Sequence, residues 1–121
     1  MNFQDVRLER DSRSTLEFTG SLLAKISTRH GTKTRWTELT LWAADSVRAG
    51  WVVEIVGVSM NKNEVDRRDA VPCNSREEIE AALSRHGRLT IPGRQLIELA
   101  VHEDDELADL YSAVDLGVEK L

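Results

Sequence analysis

The side chains suited to nucleophilic or general-base work near neutral pH are few and scattered: one cysteine, Cys73, and three histidines, His30, His86 and His102. Cys73 precedes Asn74-Ser75, a helix-capping sequence, and a helix N-terminus there would lower its pKa. No histidine stands beside it in sequence, so a small buried apolar residue is the simpler reading. A zinc or iron site wants histidines at helical i, i+4 spacing or carboxylates converging from neighbouring strands. His102 does follow Glu98 by four positions, but such pairs are ordinary helix-surface neighbours. The chain has no G-x-S-x-G elbow, no GxxxxGK[ST] phosphate loop and no GxGxxG turn. The strand carboxylates Glu38 and Glu54 are expected to face each other across a hairpin with Lys25 or Arg35 between them, as a structural ion pair. No catalytic residue, cofactor or metal ligand is therefore assigned.

Binding chemistry is better represented. Arg29, His30, Lys33 and Arg35 precede Trp36, a mixture of cations and aromatic surface of the kind that holds nucleic-acid backbones and stacks bases. Trp36, Trp42 and Trp51 are half of the six aromatic residues. Trp36 and Trp42 share the even-numbered face of one strand, and Trp51 is expected opposite them across a hairpin, in the core or as an exposed indole patch. The third feature is charge placement. Residues 1–94 hold 15 basic and 13 acidic side chains, whereas residues 95–121 hold Lys120 against eight acids. Glu103, Asp104, Asp105, Glu106 and Asp109 interleave with Leu107, Leu110, Tyr111 and Val114 at helical spacing, which predicts an amphipathic helix with an acidic outer face.

The elements that must position these groups can be read from the periodicity. Residues 1–12 read as a polar lead-in. Alternation predicts strands over 14–19 and 21–29, with Gly20 at a bend and with Leu22, Ala24 and Ile26 on one face. Further strands are predicted over 35–43 and 51–60, with an edge strand over 69–73 that tolerates Pro72. The period then changes. Ser75 and Glu78 have capping-box spacing and open a helix over 75–86 that Gly87 closes; Pro92 opens a second helix, and a third covers 104–113, leaving 114–121 as a tail. Strands followed by helices predict a single α+β domain, with an antiparallel meander of four to five strands over 14–73 and two to three helices over 75–113.

Length and composition agree with that reading. A chain of 121 residues, 40% hydrophobic and 31% charged, suits one folded domain. A lone cysteine cannot close an intramolecular disulfide, and no segment reaches the roughly 20 apolar residues needed to span a bilayer. The N-terminus has the wrong character for a signal peptide, so a cytoplasmic protein with no membrane partner is expected. The net charge of −5 argues mildly against sequence-independent binding to nucleic acid.

FTGSLLAK at 18–25, RWTELTLW at 35–42, GWVVEIVG at 50–57, CNSREEIEAAL at 73–83 and LTIPGRQLIELAVHEDDEL at 89–107 together resemble a group of small proteins from phages and mobile elements of actinobacteria. That group has no established activity, so the resemblance carries no site residue. It implies a context, a small accessory protein of a phage or plasmid. The leading expectation is a non-catalytic protein-binding module that modulates a host or defence factor through an acidic surface of Glu103, Asp104, Asp105, Glu106 and Asp109. The alternatives are a small nucleic-acid-binding domain using Arg29, Lys33, Arg35 and Trp36, and an enzyme of unrecognised type.

Overall fold

The computed structural model describes residues 1–117, with side chains described through Ser112. Its elements are β1 (Gln4–Leu8), β2 (Leu16–Ser27), β3 (Arg35–Ala44), β4 (Trp51–Ser59), β5 (Arg67–Cys73), α1 (Arg76–Ala82), β6 (Ser84–Arg85), β7 (Arg88–Leu89), α2 (Ile91–Ala100) and α3 (Asp105–Gly117). The fold is α+β. An antiparallel sheet in the order β1-β2-β3-β4-β5 is followed by three helices, with β6 and β7 forming a separate small hairpin.

The longest registers are those whose alternation is plainest. Arg35 to Ala43 on β3 pair with Ser59 to Trp51 on β4, so odd-numbered Leu39, Leu41 and Ala43 share a face with Ile55, Val53 and Trp51. This face meets the helices. Leu41, Val53, Ile79, Leu96 and Leu107 are completely or almost completely buried there, each worth about 1.5–3 kcal/mol relative to exposure. The opposite face carries a second cluster of Val6, Leu8, Val52 and Ala70, with Phe18 and Trp42 packed edge to face against each other at 6.0 Å. Among the described residues, no helix residue belongs to that cluster. The sheet instead curls, and the β1–β2 loop reaches the outer edge of β5. There the Asp11 amide donates to the Arg68 carbonyl at 2.9 Å, the Arg68 amide donates to Asp11 Oδ2 at 2.9 Å, and Arg10 Nη1 donates to the Ala70 carbonyl at 3.2 Å. A strand edge that would otherwise offer free backbone groups is thereby covered.

Four sequence expectations are corrected. The polar lead-in contains β1: its outward residues are charged or polar, and only Val6 and Leu8 turn inward, so a one-sided edge strand has the composition of a loop. The two strands either side of Gly20 are one strand, β2, whose irregularity lies further on, at Leu23. Because the register shifts between Leu22 and Ala24, Leu22 stays with Trp42 on the helix-free face while Ala24 and Ile26 pair with Leu41 and Leu39 on the helix side. The three tryptophans do not share a face either, since Trp51 pairs with Ala43 beneath the helices, away from Trp36 and Trp42.

The fourth correction concerns the first helix. Its start is as expected, with Ser75 Oγ accepting from the Glu78 amide at 3.1 Å, but it ends at Ala82 rather than continuing to 86. Leu83 is held elsewhere: its carbonyl accepts both the Thr90 amide and Thr90 Oγ1, at 3.2 and 3.0 Å. His86 and Gly87, with φ of 55° and 77°, then form the two-residue turn between β6 and β7. Thr90 also caps α2, accepting from the Gly93 amide at 3.0 Å, with Pro92 in the first turn where its missing N–H costs nothing. The tail expected from residue 114 begins within α3, which runs to Gly117; residues 118–121 lie outside the described residues.

Candidate functional site

The acidic and basic candidate groups lie toward different ends of the sheet. One end is marked by the Ala43–Trp51 pair, the other by the Arg35–Ser59 pair, and α3 begins at the first. There Asp104 is buried at 7% exposure. Its Oδ2 accepts the Trp51 indole N–H at 2.9 Å, its Oδ1 accepts the Glu106 amide at 3.0 Å, and its carbonyl accepts the Ala108 amide at 2.9 Å. Asp104 is thus the N-cap of α3 and ties the helix to the sheet. It is not part of the acidic outer surface expected of it. Glu103, Asp105, Glu106 and Asp109 are exposed, and none pairs with a cation among the described residues.

The inner side of α3 is fixed as firmly. Leu107 is fully buried, and Leu110 and Tyr111 pack against the main core. Tyr111 donates to Glu80 Oε2 at 3.4 Å, Arg76 Nε donates to the same oxygen at 2.6 Å, and the Arg76 guanidinium lies 4.4 Å over the Tyr111 ring. Burial, followed by the nearby Glu80 charge, pushes the Tyr111 hydroxyl above its usual range, so it remains a donor.

At the other end, the basic-aromatic segment is only partly brought together. Arg29 stacks on Trp36 at 4.2 Å, and the Trp36 indole donates to Glu38 Oε2 at 3.1 Å. Arg35 turns away from Trp36 because neighbouring strand residues face opposite sides of the sheet. Its Nε and Nη2 both donate to Glu64 Oε1, at 3.0 and 2.8 Å. Asn61 and Ser59 donate to the same oxygen, so the β4–β5 loop holds the guanidinium in place. These donors, Asn61 first and Arg35 next, lower the Glu64 pKa from 4.5 to about 2.

Lys33 and Arg35 nevertheless line a common cleft of about 590 Å³ with two cations that sequence spacing did not associate with them, Arg67 on β5 and Arg85 on β6. Among the described residues, Lys33, Arg67 and Arg85 pair with no carboxylate. Nothing local marks the grouping. Arg67 begins an edge strand and Arg85 follows the end of a helix, and they meet only through the topology.

The remaining reactive candidates are structurally occupied or dispersed. Glu38 and Glu54 do not pair across the hairpin; they lie opposite Val56 and Thr40. Each accepts an indole N–H, from Trp36 and Trp42 respectively at 3.1 Å, and Lys25 rather than Arg35 approaches Glu38, at 3.5 Å. Cys73 is fully buried, and burial followed by the Glu78 charge pushes its thiol up to about 11. Desolvation therefore overrides the lowering expected from the start of α1. The three histidines are exposed, and no group of three His, Cys, Asp or Glu side chains converges among the described residues. No described helix is long and apolar enough to cross a membrane.

Comparison with protein-family models, with curated proteins and with solved structures finds no match to this chain. Its functional reading rests on its own side chains.

Proposed function

We propose that this protein is a non-catalytic binding module, an accessory protein of a phage or plasmid, whose acidic helix start docks onto a basic surface of a protein partner. The observation that carries the reading is the Trp51–Asp104 bond with the cap it completes. It fixes the first turn of α3 to the sheet, so Glu103, Asp105, Glu106 and Asp109 project from an ordered element rather than from a loose tail. Four carboxylates at one helix start, with no cation partner among the described residues, give a strong local field, which steers a basic partner and sets register more than it adds raw affinity.

The test is affinity capture from cells of the host, comparing the natural protein with the variant Glu103→Gln, Asp105→Asn, Glu106→Gln and Asp109→Asn. Capture of a defined partner by the natural protein, lost in the variant and weakened by salt, supports the reading. Equal recovery by both proteins overturns it.

A further inference from the structure

The cleft that holds Lys33, Arg35, Arg67 and Arg85 continues into a second one of a different character. The neighbouring cleft, about 350 Å³, shares Thr28, Thr37 and Arg85 with the first. Beyond those shared residues it is lined mainly by Leu39, Ile55, Ala82, Leu83 and Pro92. The sheet supplies two of these side chains and the region from the end of α1 to the start of α2 supplies the others. The two clefts form one groove, basic at one end and aliphatic at the other, between the rim of the sheet and the β6–β7 hairpin.

We propose that this groove binds an extended peptide segment of a partner protein, in which an aliphatic side chain enters the Leu39/Ile55/Leu83 end while adjacent carboxylates meet Lys33, Arg67 and Arg85. Charge complementarity sets the acidic half of that ligand. Three cations with no carboxylate partner among the described residues line the cleft, and Glu64 is already engaged by Arg35. The lining of the other half selects peptide over nucleic acid. Single-stranded nucleic acids are gripped by aromatic faces on which bases stack, and the aliphatic end offers none. The one aromatic residue that lines the basic cleft, Trp36, follows Arg35 on the strand and so directs its ring to the other side of the sheet, where Arg29 stacks on it and Glu38 takes its N–H. A pocket of this volume suits one or two aliphatic side chains, and the charges beside it fix direction.

The groove's basic half lies at the opposite end of the sheet from the acidic start of α3, so the groove extends the protein-binding reading to a second surface, and its variants leave Glu103, Asp105, Glu106 and Asp109 unchanged. A random dodecapeptide library displayed on phage, panned on the immobilised protein, tests it. The expected result is enrichment of sequences that place Asp or Glu beside Leu, Ile or Val. A fluorescein-labelled copy of an enriched peptide should lose at least tenfold in affinity to Arg67→Glu with Arg85→Glu, and similarly to Ala82→Trp, which fills the aliphatic end. The two arginines are exposed, so the first variant folds normally; an unchanged thermal melt checks this. Enrichment without acidic residues, affinity unchanged in Arg67→Glu with Arg85→Glu, or no enrichment over that variant overturns the proposal. Tight binding of a thymidine dodecanucleotide that the same arginine variant abolishes, with no peptide selected, assigns the groove to nucleic acid instead.

Discussion

The Trp51 indole N–H donates to Asp104 Oδ2 at 2.9 Å across 53 residues of sequence, and both partners are buried. That bond joins the first residue of β4 to the cap of α3, and it converts an acidic stretch of sequence into a presented surface. The same carboxylate bonds the Glu106 amide, so removing it breaks a tertiary contact and a helix cap together.

Asp104→Ala is therefore expected to lower stability by about 2–4 kcal/mol, combining the loss of a cap with the stranding of a buried indole donor. Asp104→Asn keeps a capping oxygen and should cost about half as much or less. Chemical denaturation of the two variants checks the ordering; equal stability of natural protein and Asp104→Ala would show that the cap is dispensable.

Glu64 is held ionised by hydrogen bonds from Asn61, Arg35 and Ser59. Its pKa is lowered from 4.5 to about 2 in the fold, so its contribution is fully present above pH 4.5 and is lost as pH falls through about 2. Glu64→Gln should flatten the stability curve between those values and leave it unchanged in shape near neutrality. Thermal melts from pH 2 to 7 read this directly, and a variant with the natural protein's slope in that window would refute the assignment.

How far these features were legible in the sequence depended on whether local periodicity or tertiary contact decided them. The alternation of β3 and β4 specified their pairing because both faces are constrained over nine consecutive pairs. Ser75 and Pro92 marked the starts of α1 and α2 because the first turn of a helix is specified locally, whereas the Thr90 cap of α2 was not singled out. β1 was missed because it buries only Val6 and Leu8, and the end of α1 because bonds from Thr90 hold Leu83. Among the site residues, the exposure of Glu103, Asp105, Glu106 and Asp109 followed from their helical spacing. The withdrawal of Asp104 from that surface depended on Trp51, and the joining of Arg67 and Arg85 to Lys33 depended on the topology.

Gly93 illustrates a conflict between helix propensity and packing. Alanine is normally the better helix former by about 1 kcal/mol, yet a Cβ at this position would lie 2.9 Å from both Leu83 Cβ and Thr90 Oγ1. Overpacking of this kind costs about 1–3 kcal/mol. Gly93→Ala is expected to lower the melting temperature; an increase would mean that α2 shifts freely away from Leu83.

Cys73 should be inert in the folded protein, since its thiol is fully buried and is pushed up to about 11. Iodoacetamide at pH 7.5 is expected to label it at least a hundredfold more slowly in the native state than in concentrated urea. Comparable rates would place the thiol in an open, reactive environment.

The central claim, that the ordered acidic start of α3 is a protein-docking surface, is tested most directly by site-specific photo-cross-linking in host cells. A photoreactive amino acid replaces Asp109 in one protein and exposed Val47, on the β3–β4 loop, in another. The expected result is one discrete cross-linked protein at position 109, absent at position 47, and lost when Glu103, Asp105 and Glu106 are neutralised. The same adducts at both positions, or an adduct at 109 that survives neutralisation, would contradict it.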